Sequence, residues 1–420
     1  YEFVYAFLSS SLDYTRFYPV IGSDEALGIL RGNLSSDNVS FVGDFDITRK
    51  VKFSNKPDKK YNLVVLVVES LSAEFMGHFG GNTNLTPFLD KIADESMLFT
   101  RIYATGTRTV RGLESITLSI PPLPGSSIVR SMNNRDLFNI GTVFREKGYV
   151  TDFIYGGYSY FDNLYDFYRN NNFNVIDRSN IKKENISFAN IWGVADEDLF
   201  YKSIDVMDLH HTNGKNFLSI VMTTSNHRPY SFPEGRIDLP QGSRGAAVKY
   251  TDYAIGAFIE KAKTKPWFSN TIFVITADHC ASSAGKTRLP IEKYHIPLII
   301  YAPGIVKPSV NSNLASQIDI APTLVSILGF DYESKFFGQD LTSSNPDRAF
   351  ISTYQLLGYF KDDTLVVLSP NNEPVAYATR GGQKVLMVPP QSLVNESISY
   401  FQGAFELYLK GLLRERQTLQ

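Results

Sequence analysis

Polar side chains follow three apolar runs of the chain, and those that follow two of the runs could bind a divalent cation. Glu69 comes directly after the run from 63 to 68, Asp278 and His279 come after TIFVITA, and His227 follows FLSIVMTT within SNH. Such runs predict buried parallel strands, whose carboxyl ends gather ligands at one edge of an open α/β sheet. Two carboxylates and an imidazole suit Mn²⁺ or Mg²⁺ and tolerate Zn²⁺. The alternative for each acidic residue is a helix cap or a salt bridge.

The segment YATGTRTVRGLES, residues 103 to 115, offers a hydroxyl nucleophile between two basic residues. Thr109 at a helix N-terminus would gain from the helix dipole and from free N–H groups. Metal coordination would activate its hydroxyl, which is a weak nucleophile at neutral pH. Arg108 and Arg111 could neutralise an anionic phosphate. The alternative is that Thr109 is an ordinary N-cap and that both arginines are surface charges.

The elements that must position these residues alternate between strand and helix patterns. This alternation predicts an α/β fold with a mostly parallel central sheet flanked by helices. The spacing of TPFLDKIADES predicts a helix that ends near Phe99, and 247–263 is a further predicted helix. IPLIIYAPG is predicted to be a strand. From about residue 345 onward, AFISTYQ, TLVVLS, PVAYATR and QKVLMV predict a small antiparallel section, and FELYLKGLLRERQ predicts a terminal helix.

Three segments are expected from this pattern. Residues 1–58 form a helical connecting segment, 59–345 form the α/β core, and 346–420 form a small C-terminal subdomain. The stretch YEFVYAFLSS at the start is interpreted either as a helix packed on the domain or as a juxtamembrane connection.

Composition narrows the function classes. The 420 residues include 41 Lys plus Arg and 43 Asp plus Glu, and 43% are hydrophobic. The chain can therefore bury a sizeable core, and its balanced charge argues against nucleic acid as a partner. A single cysteine excludes an intrachain disulfide framework. No coiled-coil pattern or long exposed apolar stripe is visible, so we expect a monomer.

Together, VVLVVES, TGTRTVRGLES, TTSNHRPY, TADHCASSAGK and SQIDIAPTLVSILG resemble the sulfatase-like branch of the alkaline phosphatase superfamily. Within it, the chain is most similar to the lipoteichoic acid synthase-type phosphoglycerol transferases, especially their Gram-negative relatives. The resemblance covers roughly residues 60 to 345. It implies one divalent cation, most often Mn²⁺, held by the residues that match the family's ligands: Glu69, Thr109, Asp278 and His279.

The resemblance also implies roles for further residues. Thr109 matches the nucleophile, and His227 matches the histidine that contacts the substrate phosphate. Trp192 is expected either in the wall of the substrate pocket or in the core. Lys286 could reach a phosphate or a polar head group, the alternative being a solvated lysine. His295 could approach the site or be structural.

The function implied is transfer of a phosphoglycerol-type head group from an anionic, phosphatidylglycerol-like phospholipid to a glycan or glycerol hydroxyl. A covalent phosphodiester on Thr109 would be the intermediate, and His227 could protonate the departing alkoxide. The resemblance places such a catalytic domain outside the cytoplasm, joined to the membrane by an N-terminal transmembrane region. Phosphoethanolamine transfer, phosphodiesterase action with water, and a catalytically silent glycan- or lipid-binding relative stay open. An ordinary sulfatase is disfavoured because TVRGL replaces the C/S-x-P-x-R motif.

Overall fold

The computed structural model describes residues 12–81, 84–282, 289–380 and 383–415. Its strands are β1 (Val39–Phe41), β2 (Arg49–Val51), β3 (Asn62–Val68), β4 (Met97–Tyr103), β5 (Val150–Tyr155), β6 (Asn174–Ile176), β7 (Phe217–Met222), β8 (Thr271–Ala277), β9 (His295–Tyr301), β10 (Ser309–Asn311), β11 (Ala315–Ser316), β12 (Tyr332–Ser334), β13 (Arg348–Ser352), β14 (Leu357–Lys361), β15 (Thr364–Leu368), β16 (Val375–Arg380) and β17 (Gln383–Met387). Its α-helices are α1 (Tyr14–Phe17), α2 (Ser23–Asn33), α3 (Pro87–Asp94), α4 (Thr109–Leu118), α5 (Ile140–Glu146), α6 (Leu164–Asn170), α7 (Asp196–Thr212), α8 (Arg244–Lys263), α9 (Ile320–Ile327) and α10 (Gln391–Leu409).

A nine-stranded sheet carries the core, in the order β10-β4-β9-β8-β3-β7-β5-β6, with β11 beside β4. The strands β3, β7 and β8 are buried at every position, as their unbroken apolar sequences predict. β3 runs parallel to both β7 and β8. Helices pack on this sheet, among them α5 and α7 beside β5. The predicted α/β class with a mostly parallel sheet is confirmed.

The register of the central strands explains how the predicted ligands meet. Val68 pairs with Ala277 at the end of β3 and β8. The residues that follow these two, Glu69 and Asp278, therefore leave the sheet side by side. The position of the site thus follows from strand pairing.

Two smaller sheets complete the molecule. The strands β13 to β17 form an antiparallel sheet in sequence order, which confirms the antiparallel C-terminal section. A three-stranded sheet pairs β1 with β2 and β2 with β12, and α10 packs against α2. The division into 1–58, 59–345 and 346–420 stays a prediction, although the three-stranded sheet joins strands from the first two segments.

Several local expectations differ from the structure. The helix expected to reach Phe99 ends at Asp94, because MLFTRIY pairs with β9 as strand β4. IPLIIYAPG is a strand, but β9 runs antiparallel to both β4 and β8. The terminal helix α10 begins well before FELYLKGLLRERQ and ends at Leu409. Two residues later, Gly411 adopts a left-handed φ of 70°. No helix in the described ranges is long and apolar enough to cross a membrane.

Candidate metal centre and active site

Glu69, Asp278 and His279 lie together at the carboxyl end of β3 and β8. One potential ligand atom from each lies within 4.8 Å of the others. His279 Nε2 is 3.4 Å from Asp278 Oδ2 and 3.8 Å from Glu69 Oε1. All three residues are buried. This is a compact donor set of two carboxylates and one imidazole.

Thr109, the first residue of α4, faces the same cluster. Its Oγ1 donates a hydrogen bond to Glu69 Oε2 at 3.3 Å. Gly112, three residues later, lets the helix approach closely, because a Cβ there would lie only 2.1 Å from the carbonyl oxygen of Asp278. The glycine in TVRGLES therefore brings the hydroxyl of Thr109 to the cluster.

Backbone amides hold Asp278 in place and leave one of its oxygens free for a ligand. Asp278 Oδ1 accepts hydrogen bonds from the N–H groups of Ser70 and His279, each at 2.8 Å. Asp278 Oδ2 is buried and has no hydrogen-bond partner among the described residues. Such an oxygen is costly to bury unless something compensates its charge.

Electrostatics in the cluster also favour a cation. Burial, and then the negative charge of Glu69, raises the pKa of Asp278 to about 7. Burial would also raise the pKa of Glu69, but the neighbouring His279 and His227 hold it below its usual value. Burial lowers the pKa of His279, yet the two carboxylates raise it overall. A divalent cation would relieve this crowding, so Glu69, Thr109, Asp278 and His279 fit the role of its ligands.

His227 and Trp192 form one wall of the site. Their ring centroids are 3.5 Å apart, with the ring planes 30° from each other. His227 Nδ1 lies 3.2 Å from the carbonyl oxygen of Arg228. Because a carbonyl oxygen only accepts, Nδ1 carries a proton there and Nε2 is left for a substrate.

A cavity of about 430 Å³ is lined by Glu69, Thr109 and His279 of the cluster and by Trp192 and His227. Three arginines also line it, namely Arg108, Arg228 and Arg244. A second cavity, of about 750 Å³, adjoins it and shares Arg108 and Asp162 with it. Sequence reasoning had missed Arg228 and Arg244. The RPY after His227 was a visible signal for Arg228, whereas nothing near Arg244 in the sequence pointed to the site.

The sequence profile of the sulfatase family matches residues 61–330, which include every strand that positions the cluster. The chain belongs to the sulfatase family. A solved protein of the alkaline phosphatase superfamily from Vibrio parahaemolyticus is 33% identical, with a TM-score of 0.90 over 96% of this chain and 100% of that one. The lipoteichoic acid synthase LtaP from Listeria monocytogenes shares the fold, with a TM-score of 0.72 at 20% identity over 93% of this chain and 98% of that one.

Curated relatives point to one branch of this family. Lipoteichoic acid synthase 2 of Bacillus subtilis is 24% identical over 71% of this chain and 50% of its own length. Phosphoglycerol transferase I of Escherichia fergusonii is 27% identical over 57% of this chain and 33% of its own length. The predicted resemblance is thereby confirmed. The chain spans half or less of the length of these two relatives.

Arg111 does not occupy the position predicted for it. Its side chain is buried, with Nη1 2.9 Å from Glu114 Oε1 and Nη2 2.6 Å from each of the carbonyl oxygens of Leu123 and Gly125. This guanidinium ties α4 to the loop that follows it and borders the second cavity. The expectation that Arg111 neutralises the phosphate is corrected, because its donors are already engaged within the protein.

His295 is also turned away from the cluster. Its Nε2 lies 2.8 Å from the carbonyl oxygen of Thr100, and its ring stacks on Tyr103 with centroids 5.2 Å apart. It lines a separate cavity with Arg101. The prediction that His295 contacts substrate is therefore corrected in favour of a structural role. Lys286 lies outside the described residues.

Proposed function

We propose that this chain is a metal-dependent transferase that moves a phosphoglycerol-type group from a phospholipid to an acceptor hydroxyl. The observation that carries the proposal is the hydrogen bond from Thr109 to Glu69, inside a cluster suited to a divalent cation. The names of the curated relatives support the same chemistry. Mn²⁺ is the proposed ion, with Mg²⁺ or Zn²⁺ as the other candidates for this donor set.

In the first step, Thr109 Oγ1 gives its proton to Glu69 Oε2, which already accepts its hydrogen bond, and forms a bond to the phosphorus of the donor, while the bond from phosphorus to the diacylglycerol oxygen breaks. The bound cation would lower the pKa of the hydroxyl and offset charge on the phosphoryl oxygens. His227, in the same cavity, protonates the departing alkoxide. The product on the protein is a phosphodiester of Thr109.

In the second step, an acceptor hydroxyl forms a bond to the same phosphorus, the bond to Thr109 Oγ1 breaks, and the Thr109 oxygen takes back the proton from Glu69. His227 now takes the proton of the acceptor, as the reverse of its first role requires. Trp192 packs its ring against the imidazole and so keeps it in place. A glycan or a glycerol-bearing lipid is the proposed acceptor, and water in its place would give a phosphodiesterase.

The charge of the cavity favours glycerol over ethanolamine as the head group. Arg108, Arg228 and Arg244 line it against the carboxylates of Glu69 and Asp162, so an ammonium group would meet an excess of positive charge. A neutral diol carries no such penalty. Phosphoethanolamine transfer is therefore the second candidate, with the same nucleophile. Sulfate-ester hydrolysis by formylglycine chemistry is not proposed, because Thr109 stands in TVRGL without the Cys or Ser of that motif.

We place the reaction at the outer side of a cell membrane, in the cell envelope, since the proposed donor is a membrane phospholipid. The catalytic domain would act there on one lipid head group at a time. A cavity of about 430 Å³ suits a head group and leaves the acyl chains outside.

Intact mass spectrometry after incubation with Mn²⁺ and phosphatidylglycerol tests this proposal. We expect an adduct with the mass of phosphoglycerol, mapped to the Thr109 peptide, and none with Thr109→Ala. Thr107→Ala is the matched control, because Thr107 lines the same cavity in the same segment. It should still form the adduct. If only phosphatidylethanolamine gives an adduct, with the mass of phosphoethanolamine, the second candidate is supported instead. An adduct that persists in Thr109→Ala would refute Thr109 as the nucleophile.

A further inference from the structure

Arg244 is fixed with its guanidinium at the wall of the candidate active site. It is the first residue of α8 and lines the cavity that holds Thr109 and His227. Its Nη1 donates to the carbonyl oxygen of Asn226 at 3.2 Å, and the guanidinium lies 4.8 Å from the ring centroid of Tyr230. The side chain is therefore held from two sides without using all of its five N–H donors.

No described carboxylate forms an ion pair with Arg244. Some buried arginines do have such a partner, Arg111 with Glu114 and Arg348 with Asp319, whereas buried Arg49 binds the carbonyl oxygens of Ile47 and Phe336 instead. The first turn of α8 also contains no acidic residue. An arginine at the positive end of a helix is disfavoured electrostatically. A residue that breaks such a rule of helix stability without a compensating ion pair is typical of a functional site.

We propose that Arg244 is a substrate-binding residue that holds the phosphodiester anion from the side of His227. The proposal rests on the proposed function for the identity of that anion. Asn226, which anchors Arg244, directly precedes His227, and Arg108 directly precedes Thr109. Arg108 is therefore next to the nucleophile, and Arg244 is attached to the residue next to the histidine that protonates the leaving oxygen.

This arrangement matches the charge distribution of the reaction. In an in-line displacement the attacking and leaving oxygens lie on opposite sides of phosphorus, and charge spreads over the oxygens between them. Donors fixed near both ends can reach those oxygens. Arg244 thus supplies the phosphate contact that the sequence had assigned to Arg111. A planar guanidinium can bind two phosphate oxygens at once, which a lysine cannot do.

Calorimetric binding of inorganic phosphate and of glycerol phosphate to the Mn²⁺-loaded chain tests the proposal without turnover. We expect Arg244→Gln to weaken the binding of both probes by about 10- to 100-fold, since hydrogen bonds to charged groups contribute about 1.5–3 kcal/mol. Arg244→Lys should recover only part of the loss. Arg135→Gln is the matched control, because Arg135 is an exposed arginine outside the cavity lining, and its affinities should equal those of the wild type.

Folding is checked by thermal unfolding, since Arg244 also contacts Asn226 and Tyr230. Arg244→Met keeps the aliphatic stem over Tyr230 and serves as the second variant if Arg244→Gln unfolds. Wild-type affinity in a folded Arg244→Gln or Arg244→Met protein would overturn the proposal, as would a wild-type chain that binds neither probe. A wild-type chain that binds phosphate through Arg244 but forms no lipid adduct would overturn the proposed function alone.

Discussion

Replacing Gly112 with alanine should displace the candidate nucleophile. An ideal Cβ at this position would lie 2.1 Å from the carbonyl oxygen of Asp278 and 2.6 Å from its carbonyl carbon. Ordinary carbon–oxygen contacts are about 3.3–3.6 Å, so α4 or the Asp278 backbone would have to move by roughly 1 Å. Thr109 lies one turn earlier on the same helix and would move with it.

The expected cost has two parts. A misplacement of about 1 Å can lower the rate about 100-fold. Overpacking destabilises a core by about 1–3 kcal/mol, whereas alanine gains about 1 kcal/mol over glycine from helix propensity. Gly112→Ala should therefore be less stable than the wild type by up to about 2 kcal/mol.

The assays are the rate of adduct formation on Thr109 and the free energy of unfolding in urea. Gly28→Ala is the matched control, because Gly28 lies within α2 and a Cβ there would meet nothing within 4 Å. It should be more stable by up to about 1 kcal/mol and fully active. A Gly112→Ala protein that behaves like this control, with gained stability and an unchanged rate, would show that Gly112 does not position Thr109.

Three further results are expected. Chelation with EDTA should abolish the adduct and Mn²⁺ should restore it; activity that survives exhaustive chelation contradicts the metal assignment. Trp192→Ala should lower kcat by up to about 10-fold, since an aromatic ring pair contributes about 0.5–1.5 kcal/mol. Trp192→Phe should lower kcat less, and equal kcat values in the two variants would show that the ring contact with His227 is unimportant. Burial raises the pKa of Asp252 to about 7. Its folded state therefore binds the proton more tightly than the unfolded chain, so stability should fall as pH rises from about 4 to 7, by at most about 1.4 kcal/mol per pH unit. Unfolding of Asp252→Asn should show a slope smaller by this contribution, with that of Asp278 remaining, and a slope identical to that of the wild type would argue against the shift.

The ligand cluster could be predicted because its signal is local. Glu69 and Asp278 each follow an unbroken apolar run, and the ends of parallel strands share one edge of the sheet. Thr109 could be named only through the resemblance of TGTRTVRGLES to the family's motif, since a threonine at the start of a helix is also an ordinary capping residue. The helix start also explains why Arg108, the N-cap residue, reaches the cavity.

The roles of the other arginines could not be predicted, because they depend on tertiary partners. Arg111 can pair with Glu114 on any helix, because the two lie three residues apart, but the carbonyl oxygens of Leu123 and Gly125 are what hold its guanidinium inside the protein. The same sequence on a surface helix would have lacked these two carbonyl partners. Arg244 reaches the site only because the residues after β7 bring the carbonyl of Asn226 to α8. The direction of β9 likewise depends on pairing with two distant strands.

The cluster at the end of β3 has a consequence for how the chain folds. Thr109 and Glu69 are 40 residues apart in sequence, and Ser70 and Asp278 are 208 apart. Contacts of such separation form slowly, because long loops must close first. The donor set therefore forms only when β3 and β8 have paired across about half of the chain. Cation binding, which favours only the assembled state, would report the completion of folding and would stabilise the whole sheet by mass action.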